Sequence, residues 1–411
     1  MSATLSDYRA VVGPEVIDEL LVAADQIKHR TLQHINSTAV GGGVAEILNR
    51  MVPLLRELGI DTSWDVIKGE APFFEVTKAF HNALHGSPET ITDAMLDVYR
   101  ETTARNLEEL EIKGDVVVVH DPQPAGLIQR RNGDRRWIWR CHIDVSSPNR
   151  RVWDFLRPYV DQYDSSVFSM PEFSQRLQIQ QFRIAPSIDP LSDKNKELPQ
   201  AEVDRTLARY GLDPDRPILT QISRFDRLKD PVGVIQAYRL VKRRHDCQLI
   251  LAGGAADDDP EGAEMLREVE GAADGDADIH ILALPPRSDL EINALVRGST
   301  VVLQKSIKEG FGLTVTEALW KKKAVIGGAV GGIKLQILDG VTGFLVHSPE
   351  GAANRVIELL GNPRLRQRLG TNGYLHVKQN FLTTRHIRDY LLMILALEDP
   401  AKDIRYLVGL P

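Results

Sequence analysis

A glycine-rich stretch bounded by two glutamates is the strongest candidate for a ligand site in this sequence. It comprises Glu309, Gly310, Phe311, Gly312, Leu313, Thr314 and, three positions on, Glu317. A glycine turn that leads into a helix directs backbone N–H groups and the positive end of the helix dipole at an anion. Carboxylates on either side can accept hydrogen bonds from hydroxyl groups. The stretch therefore predicts a site for a nucleotide-sugar, in which sugar hydroxyls, a diphosphate and ribose hydroxyls follow one another.

The spacing of the two carboxylates gives them different positions. Eight residues on one helix leave an angular offset of about 80°, so the two side chains would not share a face. The glycines predict that the helix begins only near Leu313, which leaves Glu309 in the turn and Glu317 one turn inside the helix. The pair can then reach two ends of one extended ligand. A glycine turn capped by a solvent-facing glutamate is the alternative.

Two cations, Arg224 and Lys229, follow a predicted strand over residues 217–223. Cations at the carboxyl end of a strand can neutralise a diphosphate without a metal. They would also stabilise the negative charge that develops on a leaving nucleoside diphosphate. A solvated basic loop paired with Asp226 and Asp230 is the alternative.

The first half of the chain offers a second group of polar candidates. Gly41, Gly42 and Gly43 precede a predicted helix and would let a ligand approach the backbone closely. His142 ends a predicted strand and could donate to a sugar hydroxyl or assist proton transfer. A tight strand-to-helix turn and a histidine that caps its strand are the alternatives. His120, after another predicted strand, has the same ambiguity.

His81 and His85 are four residues apart on a predicted helix and could share a face. Zinc sites use that spacing, but here no glutamate lies between the histidines and no third ligand is evident. A polar helix face that binds sugar, or simple exposure of the histidines to solvent, is favoured over a metal site.

Predicted strands and helices alternate in both halves of the chain and carry these candidate residues at their ends. Strands are predicted over residues 33–37, 62–67, 116–119 and 136–143, and then over 217–223, 248–252, 279–284, 300–304 and 324–327. This alternation predicts two doubly wound α/β domains, with ligands at the carboxyl ends of their strands. A stretch with two prolines near residues 184–191 predicts the linker. The expected domains are residues 1–188 and 189–384, with a C-terminal helical segment, 385–411, returning to the first.

Composition narrows the class of protein. The 411 residues favour two domains, and 43% hydrophobic with 26% charged residues is normal for a globular chain. A net charge of −7 argues against non-specific nucleic-acid binding. The two cysteines are far apart, and the polar N-terminus lacks the basic region and apolar region of a secretory signal. With no apolar run of about 20 residues, a cytoplasmic protein without disulfides or a membrane span is expected.

Taken in order, these motifs resemble the retaining glycosyltransferases of the GT-B fold, and among them the trehalose glycosyltransferring synthases. The strings that carry the closer resemblance are residues 36–46 around the glycines, 80–84, 119–124, 139–144 and 329–333. The resemblance implies two Rossmann-like domains facing across a cleft. It also implies transfer of glucose from a nucleoside-diphosphate glucose to free glucose, giving α,α-trehalose with retention.

The resemblance implies a role for each matching residue of the second domain. Arg224 and Lys229 would hold the diphosphate, and Glu309 would bind hydroxyls of the donor glucose. The backbone N–H groups of residues 310–314 would contact the glucose and phosphates, and Glu317 would bind the ribose.

For the first domain the resemblance implies that Gly42 and Gly43 approach the diphosphate. His142 would contact the donor's 6-hydroxyl and reacting face, and Glu46 and Asp144 would belong to the acceptor site. No cofactor is implied, although a non-essential Mg²⁺ and a homodimer are compatible with the resemblance. The partners would be the nucleotide-sugar and glucose or trehalose, with neither nucleic acid nor membrane.

Two positions depart from the family pattern. Lys321, Lys322 and Lys323 stand where relatives usually have Gly or Pro, and Gly328 stands where a basic residue is expected. The reaction class does not depend on them. No carboxylate nucleophile for a double displacement is evident, so front-face substitution is expected. A retaining trehalose phosphorylase, another GT-B sugar transferase and a non-catalytic nucleotide-sugar-binding protein are the alternatives.

Overall fold

The structure, a computed structural model, describes residues 3–39, 42–254 and 260–398. The chain folds as two compact units. The first takes in the residues up to Ser187 and those from Thr383 onward, and the second runs from Ile188 to Leu382.

Among the described residues of the first unit, six parallel strands form one sheet in the order β2-β1-β3-β4-β5-β6. The strands are β1 (Leu32–Asn36), β2 (Thr62–Val66), β3 (Val116–His120), β4 (Arg136–Arg140), β5 (Ser165–Phe168) and β6 (Gln180–Arg183). Two helices, α1 (Leu5–Val12) and α2 (Pro14–Ile27), precede β1. The helices between the strands are α3 (Gly42–Glu57), α4 (Ala71–Leu84), α5 (Asp93–Glu109) and α6 (Arg150–Val160). Short 3-10 turns cover Ala125–Arg130 and Pro171–Phe173.

The described part of the second unit repeats this plan with six parallel strands in the order β12-β11-β10-β7-β8-β9. They are β7 (Ile218–Ile222), β8 (Gln248–Gly254), β9 (Ile279–Leu284), β10 (Val301–Gln304), β11 (Ala324–Gly328) and β12 (Phe344–Val346). The helices are α7 (Gln200–Arg209), α8 (Pro231–Lys242), α9 (Pro260–Ala273), α10 (Asp289–Gly298), α11 (Leu313–Trp320), α12 (Ile333–Gln336), α13 (Pro349–Gly361) and α14 (Pro363–Asn380). A 3-10 turn covers Arg227–Lys229.

The last helix, α15 (Thr383–Glu398), belongs to the first unit and packs against α2 and α3. Its inner face is apolar, with Ile387, Leu391 and Ile394 almost fully buried. Removal of this apolar area from water favours docking of the helix on the first unit.

The predicted fold class is confirmed, because each unit is a parallel sheet with helices in its connections. The continuous apolar run Val116–Val119 is buried along its length, as expected for a central parallel strand. Gly59 ends α3 with a φ of +84°, a conformation that glycine adopts without a Cβ clash.

The predicted end of one strand was wrong, and three short strands were missed. The strand predicted over 136–143 ends at Arg140, so His142 lies beyond it instead of capping it. Three strands, β5, β6 and β12, were not predicted. Each has only three or four residues, and β5 and β6 carry Ser, Gln or Arg at half or more of their positions, so neither length nor apolar pattern marked them.

No helix in the described ranges is long and apolar enough to cross a bilayer.

Candidate active site

The loop between β10 and α11 carries the glycine turn. Helix α11 begins at Leu313, as predicted, and Gly312 before it has a φ of +83°, the left-handed conformation that glycine tolerates. Glu309 therefore lies in the turn and Glu317 one turn inside the helix. In the first turn of α11 the Val315 N–H donates to the Gly312 carbonyl at 3.0 Å, so the backbone N–H groups before it are the ones that can bind an anion.

Lys229 and Glu309 form the central contact of this region. The Lys229 Nζ donates to both carboxylate oxygens of Glu309, at 2.8 and 2.7 Å, and the Ser306 hydroxyl donates to the same carboxylate at 3.1 Å. Only 9% of Glu309 is exposed. Hydrogen bonds between charged groups in such a setting are the stronger kind. The pair places one cation and one anion at the carboxyl edge of the second sheet.

Backbone contacts hold the two loops together. The Ile307 N–H donates to the Leu228 carbonyl at 2.9 Å, and the Gln221 side chain donates to the Lys229 carbonyl at 2.8 Å. Because Gln221 lies on β7, it ties the Lys229 turn to the end of that strand. The lysine is therefore held at its backbone as well as at its ammonium group.

The segment after β11 supports the turn from behind. A Cβ on Gly331 would lie 1.6 Å from the Glu309 carbonyl oxygen, so only glycine fits there. The Gly332 N–H donates to the Gly310 carbonyl at 3.1 Å, and the buried Gln336 side chain donates to the Phe311 carbonyl at 2.5 Å. The resemblance singled out this glycine pair, and the packing gives a physical reason for it.

Arg224 is placed differently from Lys229. Its side chain is 67% exposed and lies 3.6 Å from Asp226. Asp230 instead pairs with Lys305 and caps α8. The alternative reading, a basic loop paired with Asp226 and Asp230, thus describes Arg224 in part but does not describe Lys229.

Glu317 lies in a cluster that sequence reasoning missed. It is 3% exposed, and the Lys194 Nζ lies 3.8 Å from its carboxylate. The buried Lys321 donates to the Asn195 side chain at 2.8 Å and to the Glu317 carbonyl at 3.2 Å, and burial lowers the pKa of Lys321 to about 7. No local signal could have revealed the contact, because Lys194 is far from Glu317 in the sequence.

Both departures from the family pattern have local explanations. Lys322 has a φ of +58°, so it adopts the left-handed conformation that glycine tolerates best. Gly328 ends β11, where a Cβ would lie 2.2 Å from the Ser306 carbonyl oxygen. A basic side chain would require Ser306, which holds Glu309, to move.

In the first unit, the glycines stand where α3 follows β1. Gly42 is the first residue of α3 and Gly43 the second, whereas Gly41 lies outside the described residues. Glu46 is exposed on the same helix. Asp144 is 8% exposed, and its carboxylate accepts a hydrogen bond from the Ser146 N–H at 2.9 Å, which fixes a local turn.

His142 is held by its backbone and its ring. Its N–H donates to the Asp121 carboxylate at 2.7 Å, and its Nε2 lies 3.1 Å from Nδ1 of His120. Burial lowers the pKa of both histidines well below the usual value, and the positive charge of Arg140 acts in the same direction. Burial also raises the pKa of Asp121 to about 7.

His81 and His85, the histidines four residues apart, lie side by side at the end of α4. His81 lies on α4 and His85 just beyond its end, with their ring centres 4.7 Å apart. In the ranges that the structure describes, no three His, Cys, Asp or Glu side chains are grouped so as to hold a metal ion.

Comparison with known proteins places this chain in a class. Two family models match: "Trehalose synthase, N-terminal domain" over residues 34–175 and "Glycosyl transferases group 1" over residues 203–376. Among solved structures, a sucrose-phosphate synthase from Thermosynechococcus elongatus covers 90% of this chain and 99% of its own with a TM-score of 0.70 at 18% identity. A UDP-forming α,α-trehalose-phosphate synthase from Burkholderia xenovorans, in complex with glucose-6-phosphate, covers 90% and 100% with a TM-score of 0.71 at 14% identity.

At those identities the structural likeness shows the fold, and with the second family model it defines a glycosyltransferase of the GT-B fold. A "Trehalose synthase" from Thermococcus litoralis is 46% identical over 94% of this chain and 95% of its own length. The chain belongs to the trehalose synthase family of GT-B glycosyltransferases.

Proposed function

We propose that this enzyme transfers glucose reversibly from a nucleoside-diphosphate glucose to free glucose and forms α,α-trehalose with retention. The observation that supports it most is the Lys229–Glu309 pair beside the glycine turn that opens α11. A cation for a diphosphate and a carboxylate for sugar hydroxyls lie in contact, next to backbone N–H groups. Membership of the trehalose synthase family supports the choice of product.

In this proposal the second unit binds the donor. The backbone N–H groups of residues 310–314 and the Lys229 ammonium group hold the diphosphate, and Arg224, with its exposed side chain, joins them. Glu309 accepts hydrogen bonds from the donor glucose. Glu317 accepts them from the ribose hydroxyls. Because Lys229 is bonded to Glu309 here, an incoming diphosphate competes with that carboxylate for the ammonium group.

The reaction proceeds by front-face substitution in this account. The acceptor hydroxyl oxygen forms a bond to the anomeric carbon on the side from which the diphosphate leaves. The bond between that carbon and the phosphate oxygen breaks, and the leaving oxygen takes the hydroxyl proton. Fixed cations and N–H groups stabilise the charge on the leaving diphosphate, so no step requires a metal.

The family resemblance also assigns roles to residues of the first unit in this proposal. His142 contacts the donor's 6-hydroxyl and Gly42 and Gly43 approach the diphosphate. Glu46 and Asp144 are assigned to the acceptor. The Asp144 carboxylate also holds the Ser146 N–H, so its second oxygen is the better placed of the two for a sugar.

One experiment separates this function from that of a retaining trehalose phosphorylase. The protein is incubated with trehalose and UDP, ADP or GDP in one series, and with trehalose and inorganic phosphate in another, and released glucose is measured. Glucose release with a nucleoside diphosphate alone supports the proposal, and the panel gives the preferred nucleotide. Release with phosphate alone identifies a phosphorylase.

The same assay tests metal independence. Release of glucose should continue in excess EDTA, because Lys229, Arg224 and the helix N-terminus supply the positive charge. Complete loss of activity that Mg²⁺ restores would contradict this part of the mechanism.

A further inference from the structure

Three histidine side chains of the first unit form a row that leads inward from His142. Nε2 of His142 lies 3.1 Å from Nδ1 of His120, and Nε2 of His120 lies 3.0 Å from Nδ1 of His34. His120 and His34 are 3% and 0% exposed, whereas His142 is only partly buried. His142 lies just beyond β4, His120 is the last residue of β3, and His34 lies within β1.

The contacts within the row require an ordered arrangement of protons. A neutral imidazole carries one N–H, so in each contact one nitrogen donates and the other accepts. Burial lowers the pKa of His34 to about 4 and those of His120 and His142 well below the usual value, so all three rings are neutral at pH 7. The N–H groups must therefore all point along the row in one direction, either inward or outward.

The inner end of the row decides the direction. Nε2 of His34 is fully buried and has no hydrogen-bond partner among the described residues. A buried N–H without an acceptor is rarer in proteins than a buried acceptor without a donor. Nε2 of His34 is therefore the unprotonated nitrogen of this ring. His34 then donates from Nδ1 to His120, and His120 donates from Nδ1 to His142.

The outer end of the row follows from this order. Nε2 of His142 accepts from His120, so the only proton of the His142 ring is on Nδ1. Within the described residues, that Nδ1 makes no hydrogen bond. We propose that the row fixes His142 as a neutral ring that donates from Nδ1, and that His120 and His34 are positioning residues that set this tautomer. The ligand it suits is an acceptor oxygen of a sugar hydroxyl or phosphate.

Charged groups around the row help to keep it neutral. Arg140 is fully buried and donates to the Ser169 hydroxyl at 3.3 Å, and its charge opposes protonation of His120 and His142. On α15, Arg385 and Tyr390 lie nearby, and His386 is held by the Ala185 carbonyl, to which its Nδ1 donates at 3.0 Å. The Asp121 carboxyl group contacts the backbone N–H of His142 and not its ring.

The identity of the ligand rests on the proposed function, but the tautomer does not, and the test uses that difference. Full-length protein is labelled with ¹⁵N-histidine, and long-range ¹H–¹⁵N spectra show which ring nitrogen of His142 is protonated. A proton on Nδ1 is expected in the ligand-free wild-type protein. A proton on Nε2 overturns the proposal, whether or not the protein transfers glucose.

A matched pair of variants tests the role of His120. In His120→Asn the amide nitrogen stands where Nδ1 stood and can still donate to His142, whereas His120→Leu has a similar shape and no donor. The leucine variant should show His142 in the Nε2–H form, or in exchange between forms, and should lose roughly 3–10-fold in kcat with little change in KM for glucose. The asparagine variant should keep the wild-type tautomer and most of the activity.

A wild-type tautomer in His120→Leu would contradict the positioning role. Thermal unfolding of both variants checks that they fold. If the leucine variant is unfolded, the same comparison is made with His34→Leu and His34→Asn, since in the proposed row His34 donates from the equivalent position.

Discussion

The Lys229 ammonium group donates to both carboxylate oxygens of Glu309, although the two residues are 80 positions apart in the sequence. The contact joins the turn after β7 to the loop after β10, and the Leu228 and Ile307 backbones reinforce it. A ligand that binds at this edge of the sheet meets a cation and an anion whose positions are already fixed. Fixed groups need little reorganisation when charge develops, which is the condition for electrostatic catalysis.

Replacement of Lys229 with alanine tests the proposed cation. Turnover should fall by roughly 10²-fold or more if the ammonium group stabilises the leaving diphosphate. Lys196→Ala is the matched control, because Lys196 forms an exposed i,i+3 pair with Asp193. Steady-state rates of glucose release from trehalose and nucleoside diphosphate provide the comparison. A rate near wild type in Lys229→Ala would remove this lysine from the site.

A double-mutant cycle tests the contact in the ligand-free protein. Lys229→Met and Glu309→Gln should each lower the free energy of unfolding, because each leaves a largely buried charge without its partner. The double variant should lose less than the sum, with a coupling energy between about 0.5 and 3 kcal/mol. Urea unfolding of the four proteins gives the value. Strict additivity would mean that the pair does not persist in solution.

Substitution of two glycines distinguishes the cost of a left-handed backbone from the cost of a steric clash. Gly331 and Gly340 both have positive φ, at 45° and 72°, but a Cβ on Gly331 meets the Glu309 carbonyl and a Cβ on Gly340 meets nothing within 4 Å. Gly340→Ala should lose only about 1–2 kcal/mol of stability, the cost of the left-handed conformation, and keep its activity. Gly331→Ala should lose more stability and most of its activity because the Glu309 loop must move. Equal effects would show that the loop accommodates the methyl group.

The pH dependence of stability should carry a contribution from Asp121. Burial raises the pKa of its carboxyl to about 7 from an ordinary value of 3.8. The unfolded chain releases this proton near pH 4 and the folded protein near pH 7. The contribution of protonated Asp121 to the free energy of unfolding is therefore complete below about pH 4 and is lost as pH rises through about 7. Asp121→Asn should therefore gain Tm relative to wild type between pH 4 and 7 and hold that gain above pH 7.

Asparagine suits the left-handed backbone of Asp121, with its φ of 66°, and retains an oxygen for the His142 N–H. Asp274→Asn, at an exposed position with a φ of 53°, is the matched control. A Tm difference for Asp121→Asn that stays constant across the pH range would contradict the shifted pKa.

The sequence predicted those features that local pattern determines. The buried valine strand, the start of α11 at Leu313 and the two parallel-sheet units follow from apolar runs, glycine turns and the alternation of strand and helix. Family resemblance added the residues of the candidate site, whose roles remain predictions.

Contacts between distant segments could not be predicted in the same way. Lys194 beside Glu317, and His34 at the inner end of the histidine row, become neighbours only when strands and loops far apart in the chain pack together. Short polar strands such as β6 are stabilised by pairing with a neighbouring strand and by no pattern of their own. The end of β4 at Arg140 has no local signal either, because Cys141 and Ile143 beyond it are also buried.

The proposed reaction can be tested by following the glucosyl group itself. The protein is incubated in EDTA with unlabelled glucose and a nucleoside-diphosphate glucose that carries ¹³C at its anomeric carbon, and the product is analysed by NMR. The expected product is a non-reducing disaccharide with an α,α-1,1 linkage, labelled in one ring, together with an equal amount of released nucleoside diphosphate. A labelled anomeric carbon in the β configuration, or no transfer with any nucleotide of the panel, would contradict it.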